Sequence, residues 1–437
     1  MEKVIKNQTE ILQKLGIDKL NEMQLHAHEA ISLHDEVIVL SPTGTGKTLA
    51  FLLPVIAQLD VNIQDIQALI VVPSRELATQ IEQVARNMGS GYKINAVYGG
   101  RAGNKDKVDL NSNPAILIGT PGRIADHLRN GVINLKSTKF VVLDEFDKSL
   151  EIGFQDEMHE IMDGVTGVKT KILTSATQKL EVPGFVRLKN PVTINFLEDG
   201  VRELVLKTVI SSTEDKLFSL LDLLGHLGNQ RGIIFCNFKE SIQTLSNFLN
   251  EEGVGHTCFY GGLEQLDRER ALIKFRNGTS QLLVATDLAA RGIDVPELDF
   301  IVHFELPQKP DEFIHRNGRT ARMNKKGVAY IMQWKNEELP SFIKNCKSIE
   351  LTEGRTPINS GWETLYISGG RRDKISKSDI AGLFLKQGNL EKEELGIIEL
   401  QQECTYVAVL KSKSQELVSQ LNNSRLKKVK VRISVLK

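Results

Sequence analysis

VIVLSPTGTGKTLAFLLPVIA (residues 37–57) decides the fold. An apolar run ends in a loop with glycines at 44 and 46, and an apolar stretch of helical character follows at once. Strands that are apolar on both faces belong to parallel sheets covered by helices. The glycines let backbone N–H groups face an anion, and the N-terminus of the next helix adds a favourable dipole. The stretch therefore implies an α/β domain holding a phosphate beyond the carboxyl end of its strand. Ser41, Pro42, Thr43, Gly44, Thr45, Gly46, Lys47 and Thr48 form the candidate cradle. Lys47 has the reach for β/γ-phosphates, and Thr48 offers a hydroxyl to Mg²⁺. The strict pattern opens on Gly, where this chain has Ser41, so a fortuitous glycine-rich turn is the competing reading.

Similar runs extend outward from this one. ALIVV (68–72), AILI (115–118), FVVL (140–143) and KILT (171–174) continue the first series. GIIF (232–235), LLVA (282–285), FIVHF (300–304) and VAYIM (328–332) make a second. Two series predict two α/β domains, residues 1–200 and 201–345, with a break near LEDGVRELVL (197–206). After the polar, Gly- and Pro-bearing stretch 345–361, which reads as a linker, residues 360–437 form a third unit. There WETLYIS, LGIIEL, TYVAVL and VKVRIS read as strands, and SKSDIAGLFLKQG and SQELVSQLNN as helices. That β-α-β-β-α-β order predicts a ferredoxin-like α+β domain.

Composition narrows the function classes. The 437 residues carry no formal net charge, with 41% hydrophobic and 25% charged residues, as in ordinary globular proteins. The charge is unevenly placed: from residue 360 onward there are 14 Lys and Arg against 9 Asp and Glu, an excess of five balanced by the rest. A basic module appended to a neutral engine points to a nucleic-acid partner. Cys236, Cys258, Cys346 and Cys404 are widely spaced, which favours neither a zinc site nor a disulfide framework. No stretch approaches the roughly 20 apolar residues of a membrane span, and MEKVIKNQTE lacks the apolar core of a signal peptide. A cytoplasmic protein is expected.

Two further motifs carry chemistry. In VVLDEFD (141–147) an apolar strand delivers Asp144, a carboxylate for Mg²⁺ (partly through water), and Glu145, a base for water. A lone Asp-Glu pair is most often a polar strand end; the phosphate loop about a hundred residues earlier changes that reading. In HRNGRTAR (315–322), Arg319 and Arg322 stand three apart, so one helical turn would point both the same way. They are candidates for stabilising charge on a transferring phosphoryl, against the commoner fate of a solvated basic face.

The whole ordered set resembles the DEAD-box RNA helicases of superfamily two, over about residues 8–335. The segments carrying the likeness are Gln24 after LGIDKLNEM, SPTGTGKT, PSRELATQ (73–80), YGG (98–100), TPGR (120–123), DEFD (144–147) and SAT (175–177). In the second domain they are IIFCN (233–237), GGLEQLDRER (261–270), TDLAARGID (286–294) and HRNGRTAR. The resemblance implies two tandem RecA-like domains that bind ATP and Mg²⁺. It implies Gln24 on the adenine, Asp294 on the ribose, and Lys47, Asp144, Glu145, Arg319 and Arg322 in hydrolysis. Arg75, Gly100, Thr120, Arg123, Thr286 and Asp287 would hold the RNA backbone, a sequence-blind contact. Ser175, Thr177, His315 and Asp147 would link hydrolysis to the fit between domains. Phe146 departs from the usual Ala of the tetrad, and Asn21–Glu22 from the residues usual before the glutamine; modest tuning of rate is expected from Phe146.

Residues 362–437 resemble the RNA-binding domain of the DbpA subgroup, related to the RNA-recognition motif, through TLYISGG, RRDK and KKVKVRIS. Two RNA surfaces remain open: stacking on the sheet by Tyr366 and Tyr406, or a basic edge of Arg371, Arg372, Lys374 and Lys377; the competing reading is that both tyrosines merely cover the sheet. The subgroup implies a structured, ribosomal RNA as partner and a role in ribosome assembly; a monomer without an obligate protein partner is expected. Rival readings are an ATP-dependent RNA clamp with little hydrolysis, and a processive DNA translocase.

Overall fold

The computed structural model of the chain describes every residue except 1–4, 43, 101–105, 107–108, 152, 178–180, 198–203, 288–297, 321–326, 352–358 and 437, and the side chain of residue 151. The described residues form two compact units, the first spanning the first 202 residues and the second carrying the remainder.

The first unit is built on seven parallel strands: β1 (Glu36–Leu40), β2 (Ala68–Val71), β3 (Ile94–Val97), β4 (Ile116–Gly119), β5 (Phe140–Leu143), β6 (Thr170–Ser175) and β7 (Val192–Asn195), in the order β3-β4-β2-β5-β6-β1-β7. Alternation along each strand splits its side chains between two cores. Val37, Val39, Ala68, Ile70, Phe140 and Val142 enter one, Ile38, Leu40, Leu69, Val71, Val141 and Leu143 the other. Each of these Val, Ile, Leu and Phe side chains contributes about 1.5–3 kcal/mol by leaving water. Both faces are therefore committed to helices, and only the strand ends remain for chemistry. The runs in the sequence locate five of these strands; β3 and β7 carry polar residues at the sheet edges and escape that reading, β7 alternating between half-buried and exposed positions.

The second unit repeats the plan with β8 (Leu204–Ser211), β9 (Gly232–Cys236), β10 (His256–Phe259), β11 (Leu282–Thr286), β12 (Phe300–His303), β13 (Gly327–Trp334) and the two-residue β14 (Lys347–Ser348). Their order is β10-β11-β9-β12-β13-β8-β14, again parallel throughout. β8 lies where the sequence suggested an interdomain break: its Lys207, Thr208 and Ser211 dilute the apolar signal, yet it pairs with β13 over eight residues.

The same unit carries the C-terminal sheet. β15 (Trp362–Ile367), β16 (Leu395–Leu400), β17 (Thr405–Leu410), the small hairpin β18 (Arg425–Leu426) and β19 (Val429–Lys430), and β20 (Ile433–Val435) follow in sequence. The sheet runs β16-β17-β15-β20, all antiparallel, with helices Lys377–Gly382 and Ser414–Leu421 supplying Ile380, Leu417 and Leu421 to its core. The expected fourth strand VKVRIS divides in two: Val429–Lys430 closes the hairpin, and the sheet is completed two residues later by Ile433–Val435.

Candidate active site and RNA-binding surfaces

The phosphate loop leaves β1 and is tied to its neighbours by backbone and hydroxyl groups. Ser41 N donates to Ser175 O of β6 (3.0 Å), and Ser41 Oγ donates to Thr45 Oγ1 (2.8 Å), which donates onward to Pro42 O (2.9 Å). Ser41 is fully buried, so the residue that departs from the strict pattern serves as an internal brace. Lys47 Nζ folds back onto Ser41 O (2.5 Å) and Pro42 O (3.0 Å). Gly46, at φ 87°, caps helix Lys47–Ala57, and a Cβ there would come within 2.4 Å of Gln24 Nε2. Only glycine meets both demands.

Gln24 is seated on this loop. Its Nε2 donates to Gly46 O (3.3 Å) and its Oε1 accepts from Asn21 N (3.0 Å). Asn21 Oδ1 in turn caps helix Glu22–Leu33 by accepting from Gln24 N (2.9 Å), while its Nδ2 donates to Thr45 O (3.0 Å). The unusual Asn21 thus provides a helix cap and a link to the phosphate loop. An amide has two donors and two acceptor sites, and these two bonds use one of each on Gln24.

β5 and β6 bring the carboxylates. Asp144 is buried at the end of β5, with its N–H on Val71 O (3.0 Å) and Oδ1 accepting from Thr174 Oγ1. Burial pushes its carboxyl above the ordinary range, opposed by the Thr174 hydroxyl and by the charge of Lys47. Glu145 follows in left-handed backbone, φ 47°, with its N–H on the same Thr174 hydroxyl (3.2 Å). Thr174, the residue before SAT, is therefore a site residue that motif reading overlooked. Asp147 accepts from Thr177 Oγ1 (3.2 Å), and Ser175 Oγ accepts from Thr177 N (3.0 Å), so the DEFD and SAT segments are physically joined. Thr48 and Asp144 offer hard oxygens, a donor set that suits Mg²⁺, which keeps several waters and takes one or two carboxylates.

On the same domain, Arg75 begins helix Arg75–Met88 behind the Ser74 cap, and its guanidinium lies against the Gly99–Gly100 turn. Gly100 has φ 82°, and a Cβ there would meet Arg75 Nη1 at 2.4 Å, so YGG makes room for the arginine. Thr120 caps helix Pro121–Arg129. Arg123 Nε donates to Asp106 Oδ2 (2.9 Å) and Nη1 to Asp126 (3.0 Å), with His127 Nε2 also 3.1 Å from Asp106. Asp106, fully buried, has no motif to announce it.

In the second domain Thr286 ends β11 and is half-buried. Asp287, the next residue, accepts at both its oxygens from Arg316, which reaches them through Nε (2.8 Å) and Nη2 (2.5 Å). Arg316 also donates to Glu305 O and Asn237 Oδ1, both 2.7 Å, making a buried hub. His315 is buried in the same helix, Pro310–Asn317. Arg319 is buried too, but the helix has ended: Gly318 is its cap, and Thr320 bridges to Leu298. The helical turn expected to join Arg319 to Arg322 runs into residues outside the described ones. Thr43, Asp294 and Arg322 lie outside the described residues.

The C-terminal domain carries the residues of both candidate RNA surfaces. Tyr366 and Tyr406 are directly opposed on β15 and β17, ring centroids 5.7 Å apart. That face is not open: Tyr406 is 4% exposed and packs with Leu436 and with Ile273 of the second domain's helix Gln265–Arg276, Tyr366 and Cys404 lying alongside. Burial pushes the Tyr406 phenol well above its usual range. Arg276 fastens the rim, Nε and Nη2 each donating to a Glu399 oxygen at 2.9 Å, and Thr279 and Thr364 share a hydrogen bond of 2.7 Å. In this arrangement the tyrosines hold two domains together and present no free stacking platform. Arg372, Lys374 and Lys377 are exposed and Arg371 half-buried. Beside them sits the hairpin, whose Lys427 Nζ reaches Lys374 O and pairs with Asp379 (2.9 Å). Exposed Arg425, Lys427, Lys428, Lys430 and Arg432 therefore enlarge the basic edge; the run KKVKVR was the available signal.

Fold and site together define a nucleotide-driven motor of two RecA-like domains with an appended RNA-binding fold. The DEAD/DEAH box helicase family matches residues 21–183, the helicase conserved C-terminal domain residues 215–324, and the DbpA RNA binding domain residues 364–435. The chain is 32% identical to the ATP-dependent RNA helicase DbpA of Escherichia coli (strain K12), over 98% of this chain and 96% of that one. It is 28% identical to the DbpA of Bacillus subtilis (strain 168), over 97% and 96%. Among solved structures it resembles S. cerevisiae Dbp5 bound to RNA and ADP BeF3, with TM-score 0.66 and 28% identity over 76% of this chain and 88% of that one. It also resembles Mss116p bound to ssRNA and AMP-PNP, with TM-score 0.69 and 25% identity over 79% and 77%. The chain belongs to the DEAD-box ATP-dependent RNA helicases and, within them, is DbpA-like. Among the described residues no helix is long and apolar enough to cross a membrane.

Proposed function

We propose that the chain couples RNA-stimulated ATP hydrolysis to local unwinding or remodelling of structured RNA, ribosomal RNA during ribosome assembly. The observation that supports hydrolysis most is the gathering of Lys47, buried Asp144 and the left-handed Glu145 turn at the carboxyl ends of adjacent strands β1, β6 and β5. In this reading Gln24 selects adenine, the phosphate loop holds the triphosphate, and Glu145 orients and deprotonates water. Thr48 and Asp144 would hold Mg²⁺, partly through water, and the ion would neutralise charge on the phosphates. Arg319 and Arg322 are the candidates for stabilising the transferring phosphoryl. Arg75, Gly100, Thr120, Arg123, Thr286 and Asp287 contact the RNA backbone, while the exposed basic edge of the C-terminal domain recruits a structured RNA. Ser175, Thr177, Asp147 and His315 transmit the state of the nucleotide. The protein acts as a cytoplasmic monomer, its domains divided near 200 and 345–360.

The test is ATP hydrolysis by the full chain alone, with ribosomal RNA, with unrelated RNA and with DNA. Stimulation by RNA alone, greatest with ribosomal RNA, is expected. Equal stimulation by all RNAs removes the ribosomal assignment, stimulation by DNA favours a translocase, and no stimulation leaves an RNA clamp. Truncating the tail is a poor substitute, because it would uncover Ile273 and its neighbours.

A further inference from the structure

The third residue of the DEFD tetrad, Phe146 where Ala is usual, has so far been given only a modest tuning of rate. Phe146 is fully buried, among the largest such side chains in the protein, in the core that contains Leu143, Met158, Leu173 and Val186. It is the first residue of helix Phe146–Glu151 and follows Glu145 directly. Glu145 sits at φ 47°, a conformation that is costly for any residue with a Cβ and persists only where the surroundings enforce it. Upstream the turn is held by Asp144, whose N–H is on Val71 O, and by the Thr174 hydroxyl shared between Asp144 and Glu145 N–H. Downstream the N–H groups of Lys148 and Ser149 converge on Glu145 O (3.0 and 3.2 Å), but those bonds fix the carbonyl only while the short helix stays in place. Its side-chain anchors in the apolar core are the fully buried Phe146 ring and the partly buried Leu150, of which Phe146 is the larger and adjoins Glu145.

We infer that Phe146 is a positioning residue for hydrolysis: its ring, locked in the core beneath β5 and β6, holds the strained Glu145 turn so that the carboxylate meets the attacking water. It touches no reacting atom. The inference rests on the reading of Asp144 and Glu145 as the hydrolytic pair. A misplacement of the order of 1 Å can cost about a hundredfold in rate while ground-state binding, set by the phosphate loop and Gln24, is untouched.

The test uses the full chain with saturating RNA, the active fraction fixed by stoichiometric binding of a non-hydrolysable ATP analogue. Phe146→Ala is expected to lower kcat by about tenfold to a hundredfold, with KM for ATP within about twofold of the parent. Phe146→Met, which refills most of the volume, should restore most of kcat. If the Ala variant does not fold, Leu, Met and Val variants replace it, and kcat should fall as the volume lost grows. A kcat per active site that stays flat across the folded variants, or a KM that rises in step, overturns the inference. A parallel Glu145→Gln variant separates the two readings. If it hydrolyses like the parent, the hydrolytic assignment falls and this inference with it. If it is inert while the Phe146 series is flat, this inference alone falls.

Discussion

At the carboxyl end of the first sheet and on the face of the C-terminal sheet, side chains typical of ligand binding gather, yet they are used in opposite ways. Ser41, Lys47, Asp144 and Thr174 tie one another down at the strand ends, where both sheet faces are already occupied by helices. Tyr366 and Tyr406 lie on a sheet face, and a face can be covered by anything that fits; here Ile273 and Arg276 cover it. The lesson is that a motif at a strand end carries its geometry with it, whereas an aromatic pair on a sheet face means a binding platform only if the rest of the chain leaves it bare.

The first way to break this contrast is to remove the cation of the phosphate loop. Lys47→Ala should lower hydrolysis by about a hundredfold or more, the loss expected when electrostatic stabilisation of a transferring phosphate is removed. The fold should remain, since the Lys47 ammonium donates to the loop carbonyls of Ser41 and Pro42. A Lys47→Ala chain hydrolysing within a few-fold of the parent would dissolve the reading of this end as the engine.

On the covered face, Arg276→Glu should destabilise the second unit by about 1–2 kcal/mol, because the pair is bidentate and only partly exposed. Adding Glu399→Arg should recover most of that loss in thermal or denaturant unfolding. If Arg276→Glu leaves stability unchanged and the swap adds nothing, the covering of the sheet is not a stable feature.

The smaller effect concerns Asp144. Burial raises its pKa, so the folded state binds the proton more tightly than the unfolded state. The ionised carboxylate therefore costs stability above its folded pKa, and the cost is relieved as pH falls through it. Asp144→Asn should raise the melting temperature by about 2–4 °C near neutral pH, the shift that 1 kcal/mol makes in a domain of this size, and by less in mild acid. It should do so while hydrolysis is lost, which marks the strand end as built for chemistry at the expense of stability. A melting temperature unchanged or lowered at every pH would show that Asp144 is fully compensated by Thr174 and Lys47.

How much was legible in the sequence follows the same division. The runs that became β1, β2, β4, β5 and β6 announce themselves because both faces are buried, whereas edge strands β3, β7 and β10 mix polar residues and do not. The phosphate loop and the DEFD turn were legible because their chemistry demands particular residues in order. Asp106 beneath Arg123, Thr174 beneath Asp144 and Arg316 on Asp287 were not, since each is a single polar residue whose meaning arises from a partner distant in sequence. The VKVRIS segment misled for a simpler reason: its alternation is genuine, but Val429–Lys430 closes a hairpin before Ile433 joins the sheet.

The most direct measurement compares edge with face in one titration. Ribosomal RNA is added to the parent, to Lys374→Gln/Lys377→Gln, and to Tyr366→Ala, with RNA affinity and stimulated hydrolysis read over a range of salt. The lysine variant should lose affinity severalfold, and its dependence on log salt should be shallower by about 0.7–0.9 per phosphate contact removed. Tyr366→Ala should stay within about twofold of the parent, far below the roughly 1–3 kcal/mol that a stacked base contributes. A Tyr366→Ala chain that no longer responds to ribosomal RNA, beside a lysine variant that behaves like the parent, would contradict this and return the sheet face to RNA.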